Sequence, residues 1–273
     1  MGRTYGGGAS AIATAIATEG ERMAIAHRRI GTGPVRVIVL HDWFGTSAHW
    51  GSVLEYLDPE GFSYAFLDYR GYGGRRDVSG RYSVPEIADD VLELADELGW
   101  DTFSLLGHSM GGKAVQQVLV RAPERIEKLI GIAPVPAAPY ELDDAAHALF
   151  YGAAEDPEKR RTILDLVTGN RVSRHWLARM VAHSLEVSRP EAFAAYLASW
   201  QPLDLSQAVK GSTVPVLVLV GEHDLALTAD VMRATWQAWY PNCRVKTLSG
   251  VGHYLPHEAP VAFATEVEAF LRA

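Results

Sequence analysis

The sequence predicts an α/β protein: a mostly parallel sheet of eight strands with helices on both faces, interrupted by a helical insertion. Three observations carry this. Short apolar runs alternate with amphipathic helical patterns, as parallel strands joined by helical crossovers require. The alternation lapses over 136–210, where helical patterns follow one another without a strand. One junction, "LLGHSMGG" at 105–112, reads as strand, tight glycine-rich turn and helix in immediate succession.

The elements follow in order. Residues 1–10 form a glycine-rich tail, and "SAIATAIAT" and "RMAIAHRRI" read as a hairpin turning at Glu19-Gly20. Buried strands are expected at 35–41, 63–69, 102–108, 128–135 and 214–222, with a weaker one at 243–250. "SVPEIADDVLELADELG" starts with Pro85 and repeats apolar residues at 87, 91, 94 and 98, the pattern of an amphipathic helix. Helices are also expected over "MGGKAVQQVLVRAP" and "APVAFATEVEAFLRA". Within the insertion, Asp156 and Pro157 open one helix. Phe193, Tyr196, Leu197 and Trp200 form a single apolar stripe on another. The organisation is therefore a core domain from 11–135 and 211–273, with 136–210 as a helical cap.

Composition narrows the function classes. With 273 residues, 48% hydrophobic and 21% charged, the chain can bury a sizeable core. A net charge of −8 disfavours binding to nucleic acid or an anionic membrane. The one cysteine, Cys243, cannot form an internal disulfide and reads as a small strand residue. No apolar run reaches the roughly 18–20 residues of a membrane span. The N-terminal "AIATAIA" is short, broken by threonine and preceded only by Arg3, so it is not read as an export signal. Gly6 stands where a myristoylation signal wants Ser or Thr. The expected location is the cytoplasm and the expected partner a small-molecule substrate, with a homodimer left open.

Gly107, Ser109 and Gly111 give Gly-x-Ser-x-Gly between a strand and a helix, which is the context a nucleophile elbow needs. The helix N-terminus sets free backbone N–H groups beside the serine. A serine hydroxyl is a weak nucleophile and requires a base, which in turn requires an orienting carboxylate. "VLVLVGEHDLAL" presents Asp224 after a buried strand, and "LSGVGHYLPHEAP" presents His253 in a glycine-flanked loop. The order Ser109, Asp224, His253 is the one the elbow architecture uses. Metal sites are not suggested: there is no HExxH and no Cys/His cluster, and no dinucleotide or phosphate-loop fingerprint either. No cofactor is expected.

The motifs "LHDWFG", "LDYRGYG", "GHSMGG", "GEHD" and "GVGHYLPHEAP" together resemble the α/β-hydrolase fold superfamily, from about residue 11 to the end. The resemblance implies Ser109 as nucleophile, His253 as general base and Asp224 as the acid. The strand at 128–135 offers no carboxylate before Glu141, which favours Asp224. The oxyanion donors are then the backbone N–H groups of Met110 and Trp43, which turns His41-Asp42 from a metal or catalytic pair into part of a backbone donor loop. His41 braces that loop. Relatives carry glycine where this chain has Asp42, so Asp42 is expected to point away from the oxyanion and bond to loop neighbours. If it faced Ser109 it would handle a substrate proton or a water. Asp68 is read as structural, His223 as a loop residue and His257 as a surface or capping residue. Lys113 is expected to pair locally or face solvent, and the basic residues of the insertion, Arg160 among them, to face water.

A serine at the elbow argues against dehalogenase and epoxide-hydrolase chemistry, which use aspartate there. It favours a carboxylesterase-like hydrolase that cleaves an ester, thioester or lactone through an acyl-enzyme. Carbon–carbon bond hydrolysis and cofactor-free perhydrolase chemistry use the same triad and stay open, and a non-catalytic binding member is the contrasting class. The expected substrate pocket is apolar and built from Trp43, Phe44, His108, Tyr140, Phe150, Trp176, Met180, Tyr196, Trp200 and Tyr254.

Overall fold

Strands β1 (His27–Ile30), β2 (Val35–Leu40), β3 (Phe62–Leu67), β4 (Phe103–His108), β5 (Ile126–Ile132), β6 (Val216–Gly221) and β7 (Cys243–Leu248) form one sheet in the computed structural model, which describes residues 25–273. Their order is β1-β3-β2-β4-β5-β6-β7; β1 pairs antiparallel with β3 and the rest are parallel. The expected strand at 10–18 lies outside the described residues, so the sheet has seven strands among them.

Position in the sheet explains composition. β3, β4 and β6 are covered on both faces and buried along their whole length, so they read as unbroken apolar runs. β1 and β7 are the edges among the described residues; accordingly "HRRI" has no fully buried position and "CRVKTL" mixes exposed and buried ones. Cys243 is buried at the start of β7, and burial pushes its thiol up to about 12, which leaves it unreactive.

Helix α1 (Val84–Glu97) is capped by Ser83, whose side chain accepts from the Glu86 N–H, with Pro85 in the first turn. Helix α2 (Met110–Arg121) follows β4 directly. Between β5 and β6 lie α3 (Asp144–Gly152), α4 (Pro157–Val167), α5 (Arg174–Val187), α6 (Pro190–Trp200) and the short α7 (Ser206–Val209). The apolar stripe of α6 is buried as a unit: Phe193, Tyr196, Leu197 and Trp200. The chain closes with α8 (Ala229–Met232), α9 (Leu255–Glu258) and α10 (Pro260–Arg272).

The strand order reverses between β2 and β4. The chain leaves β2 toward β3 on one side and returns to β4 on the other, which opens a crevice at the C-terminal ends of these strands. The loops after β2, β4, β6 and β7 converge on this crevice, and the insertion packs over it: the Trp43 ring stacks on Phe193 of α6 at 4.0 Å.

Two basic residues depart from the expectations. Lys113 is fully buried in α2, and its ammonium donates to the carbonyls of Ala138, Trp200 and Leu203 at 2.8, 2.9 and 2.6 Å. Those carbonyls flank the insertion at both ends, so one side chain ties the helix after the elbow to both of its hinges. Arg160 is 1% exposed rather than in water. Its guanidinium sits 3.7 Å from the Phe193 ring centroid and donates to Ala153 O and Ser184 Oγ. An arginine can be buried without a carboxylate where neutral acceptors and an aromatic face take its donors.

Candidate active site

Ser109 stands between the last residue of β4 and the first of α2 with φ 53° and ψ −113°, a backbone conformation L-residues rarely adopt. Its surroundings hold it there. Its N–H donates to Ile132 O, and its carbonyl accepts from the N–H groups of Gly112 and Val135. A side chain at Gly107 would meet Gly111 O at 2.2 Å, and one at Gly111 would meet Leu40 O at 2.6 Å. The turn therefore closes only with glycine at both positions. Met110 opens α2, so its N–H belongs to the first helical turn, whose donors have no partner within the helix.

His253 is buried in the loop between β7 and α9. Its Nδ1 donates to Asp224 Oδ2 at 2.6 Å, while Asp224 Oδ1 accepts from the N–H groups of Ala226 and Leu227, each at 2.9 Å. Burial pulls the His253 imidazolium down, but the Asp224 charge and hydrogen bond more than reverse this, and its pKa ends above 6.5. Burial raises the Asp224 carboxyl, and His253 and the two N–H groups carry it below its ordinary range. With Nδ1 committed to Asp224, Nε2 is the nitrogen left for chemistry. Ser109 and His253 line the same cavity. The backbone of His253 is fastened twice, its N–H to Val167 O at 3.1 Å and its carbonyl to His108 Nε2 at 3.0 Å.

The loop after β2 is braced through its peptide groups. His41 Nδ1 donates to Asp42 O at 2.6 Å, and the Tyr69 and Tyr72 hydroxyls donate to His41 O and Trp43 O at 2.7 and 2.9 Å. The Asp42 carbonyl and the Trp43 N–H share one trans peptide and point opposite ways. Fixing the carbonyl on His41 therefore turns the Trp43 N–H to the other side of the loop. Burial lowers the His41 pKa against the raising effect of Asp68, which suits a neutral ring bearing its proton on Nδ1. Asp42 does bond within its own loop, with Oδ1 accepting from the Phe44 N–H at 2.7 Å, and it also lines the cavity.

The cavity is lined almost wholly by apolar surface. Of the expected pocket residues, Trp43, Phe44, Tyr140, Phe150, Trp200 and Tyr254 line it, and His108, Trp176, Met180 and Tyr196 do not. His108 is held between Asp42 and the His253 carbonyl. Trp176 packs edge-on behind Tyr254, Met180 is buried inside α5, and Tyr196 joins Tyr69, Tyr72 and Tyr82 with its hydroxyl on Arg70 O. Trp176, Met180 and Tyr196 turn away because the stripe of a helix is wider than the part that meets a cavity, and His108, at the end of β4, is held by its own polar partners. Val135, Ile163, Val167, Ala226 and Leu227 also line it and escaped the sequence reading. Ile163 and Val167 lie one turn apart in "TILDLV", a spacing that marks a buried face without saying what it faces. His257 is half-buried in α9, with its ring against those of His49, Trp176 and Tyr254.

Residues 37–266 match the model of the alpha/beta hydrolase family. The chain is similar to a pimeloyl-[acyl-carrier protein] methyl ester esterase of Pectobacterium carotovorum, 28% identical over 256 residues, with 89% of this chain and 96% of that protein covered. Among solved structures it superimposes on an esterase of Exiguobacterium antarcticum with a TM-score of 0.80 at 21% identity, covering 91% of this chain and 96% of that one. A bromoperoxidase of Bacillus anthracis gives a TM-score of 0.79 at 20% identity, with 90% and 95% covered.

Proposed function

Because the chain belongs to the alpha/beta hydrolase family, we propose that it hydrolyses a carboxylic ester of a small, largely apolar substrate through an acyl-enzyme on Ser109. The observation that carries this reading is the meeting of Ser109 with an Asp224-oriented His253 in one apolar cavity. The esterase relatives support the reaction class.

In this mechanism His253 Nε2 takes the Ser109 proton as Oγ adds to the ester carbonyl. The tetrahedral oxyanion accepts from the N–H groups of Met110 and Trp43, the second aimed by the His41 hydrogen bond to the Asp42 carbonyl. His253 returns the proton to the leaving alkoxide, and the alcohol departs. A water then adds to the acyl group with His253 again as base, which frees the carboxylic acid and restores Ser109. Asp224 keeps the imidazole in the Nδ1–H tautomer and balances its transient charge. The insertion over 136–210 acts as the cap: Tyr140, Phe150, Ile163, Val167 and Trp200 cover the acyl side and exclude water.

The test is turnover of short-chain chromogenic esters by the protein and by Ser109→Ala, with labelling by an organophosphonate located by mass spectrometry. Loss of turnover in the variant and label on Ser109 are expected. Equal turnover by both proteins would overturn the serine mechanism.

A further inference from the structure

His108 sits between two hydrogen-bond acceptors. Its Nε2 lies 3.0 Å from the backbone carbonyl of His253, and its Nδ1 lies 3.3 Å from Asp42 Oδ2. A carbonyl only accepts, so Nε2 must carry a hydrogen. A neutral ring then has a bare lone pair at Nδ1, and an ionised Asp42 would set a second lone pair against it, with both groups buried. That arrangement has no donor on the line between them and is costly in a dry interior. One hydrogen must lie there. It makes His108 an imidazolium paired with a carboxylate, or it makes Asp42 a neutral acid that donates to Nδ1.

We propose that Asp42 and His108 hold one proton between them, so that the pair has no net charge beside the oxyanion site. The remaining contacts suit a neutral pair. Oδ1 accepts from the Phe44 N–H, and the Tyr254 hydroxyl is directed at the same carboxyl. Six histidines, His41, His49, His108, His183, His253 and His257, sense the Asp42 charge. Burial raises the Asp42 carboxyl, but His108 first, then His41, His253 and His49, more than offset it, so its pKa lies below the ordinary aspartate value and Asp42 is the ionised partner. The ionised Asp42 and the His253 carbonyl both favour the charged His108 ring against a burial that draws it down to about 4, and the acceptors facing Nε2 and Nδ1 place the hydrogen of the pair on Nδ1.

The consequence concerns the reaction proposed above and rests on that reading. A bare carboxylate at this position would oppose the charge that Met110 and Trp43 must stabilise. A shared proton keeps the aspartate as a scaffold and removes that penalty. It also explains why one ring ties the loop after β2 to the backbone of His253: its Nδ1 faces Asp42 and its Nε2 the His253 carbonyl.

The test combines nitrogen NMR of the full-length protein, labelled at histidine, with pH profiles of ester hydrolysis by the protein and by Asp42→Asn. Asparagine reproduces the neutral acid, accepting from Phe44 and donating to His108. The expected spectrum shows a hydrogen on or shared with His108 Nδ1 through the neutral range, lost only in the alkaline range. The unaltered protein is expected to lose kcat as that hydrogen leaves. Asp42→Asn is expected to lack the alkaline decline and to keep the acid-limb midpoint. A bare His108 Nδ1 at neutral pH would overturn the proposal, and so would a lowered acid-limb midpoint in Asp42→Asn, the mark of an anion removed from beside His253. The NMR measurement needs no turnover. Failure of the hydrolase reading, seen as an inert Ser109→Ala substitution, is thereby separate from failure of the pair.

Discussion

The indole N–H of Trp43 donates to the backbone carbonyl of Phe193 at 2.8 Å while the two rings stack, so the loop after β2 is fastened to helix α6 across 150 residues of sequence. The residue proposed to offer its backbone N–H to the oxyanion thus has its side chain anchored in the insertion. Trp43→Phe keeps the stack and removes the indole donor to the Phe193 carbonyl. A loss of about 1–3 kcal/mol is expected. At about 2–4 °C per kcal/mol for a domain of this size, calorimetry should show a clear fall in Tm. kcat should fall more than KM changes, because the donor loop is loosened rather than the acyl pocket emptied.

Asp224→Asn should lower kcat by about 10⁴-fold while leaving the fold intact. The asparagine can present an N–H to His253 Nδ1, which would favour the wrong tautomer and turn the ring's proton toward Ser109. Steady-state kinetics alongside circular dichroism would check this. A variant that retained more than a tenth of the activity would remove Asp224 from the mechanism.

The pH dependence follows from the same pair. His253 must be neutral to accept the Ser109 proton, so kcat/KM rises with pH through its pKa, which Asp224 holds above 6.5. An acid limb with its midpoint above that value is expected in a kcat/KM profile. The stability signs differ for the two partners. A raised histidine pKa contributes stability that is present below 6.5 and fades as pH climbs through the folded value. The lowered Asp224 pKa contributes above 3.8 and fades as pH falls through the folded value. The Tm gap between the protein and Asp224→Asn should therefore be widest between those limits.

Lys113→Met would strand three buried carbonyls, those of Ala138, Trp200 and Leu203. An ammonium has three N–H groups and these are its three acceptors. The charged form is therefore the one the geometry satisfies, although burial draws its pKa down to about 7. Because the acceptors flank the insertion at both ends, the expected result is a lower Tm and faster proteolysis within 136–210, with cleavage of the sheet region unchanged until global unfolding. Proteolysis uniform along the chain would show that Lys113 stabilises the whole fold and not the hinges.

Phe150 stacks parallel to Trp43 at 6.0 Å and closes one wall of the cavity. Phe150→Ala should shift the preferred acyl chain toward longer esters, each added methylene worth about 0.8 kcal/mol of new burial. Measuring kcat/KM across a series of acyl lengths would show it. An unchanged profile would place the acyl chain elsewhere in the cavity.

Much of the fold is legible because its determinants are local in the chain. Gly107, Ser109 and Gly111 write a turn that admits no other side chains, and the β3, β4 and β6 runs announce double-sided burial through their apolar continuity. Ser83 and Asp156 mark their helix starts by capping the next turn. The site is legible more thinly. Ser109, Asp224 and His253 stand in an order that the elbow architecture explains, and the Gly-flanked loop of "GVGHYLPHEAP" marks where the histidine lies.

Orientation was less legible, as the residues that surprised show. His108 and Tyr196 belong to apolar or aromatic stretches that suit a pocket wall, yet they face inward. Lys113 and Arg160 look like surface cations and are buried, because their acceptors are backbone carbonyls and serine hydroxyls that no charge pattern reveals. Asp42 stands out in the sequence, but its partner does not, since His108 lies 66 residues away in the chain.

The sequence by itself determined the alternation of strands and helices, the strained elbow and the order of the three residues proposed for catalysis. These depend on backbone sterics and on hydrophobic period, which act between near neighbours in the chain. Only the tertiary structure decided which polar atoms meet: Trp43 with Phe193, Lys113 with both hinges, and His108 between Asp42 and the His253 carbonyl. Those meetings depend on how elements far apart in sequence pack at the switch point of the sheet. A buried donor there must take whatever acceptor the packing brings to it, and no local pattern encodes that choice.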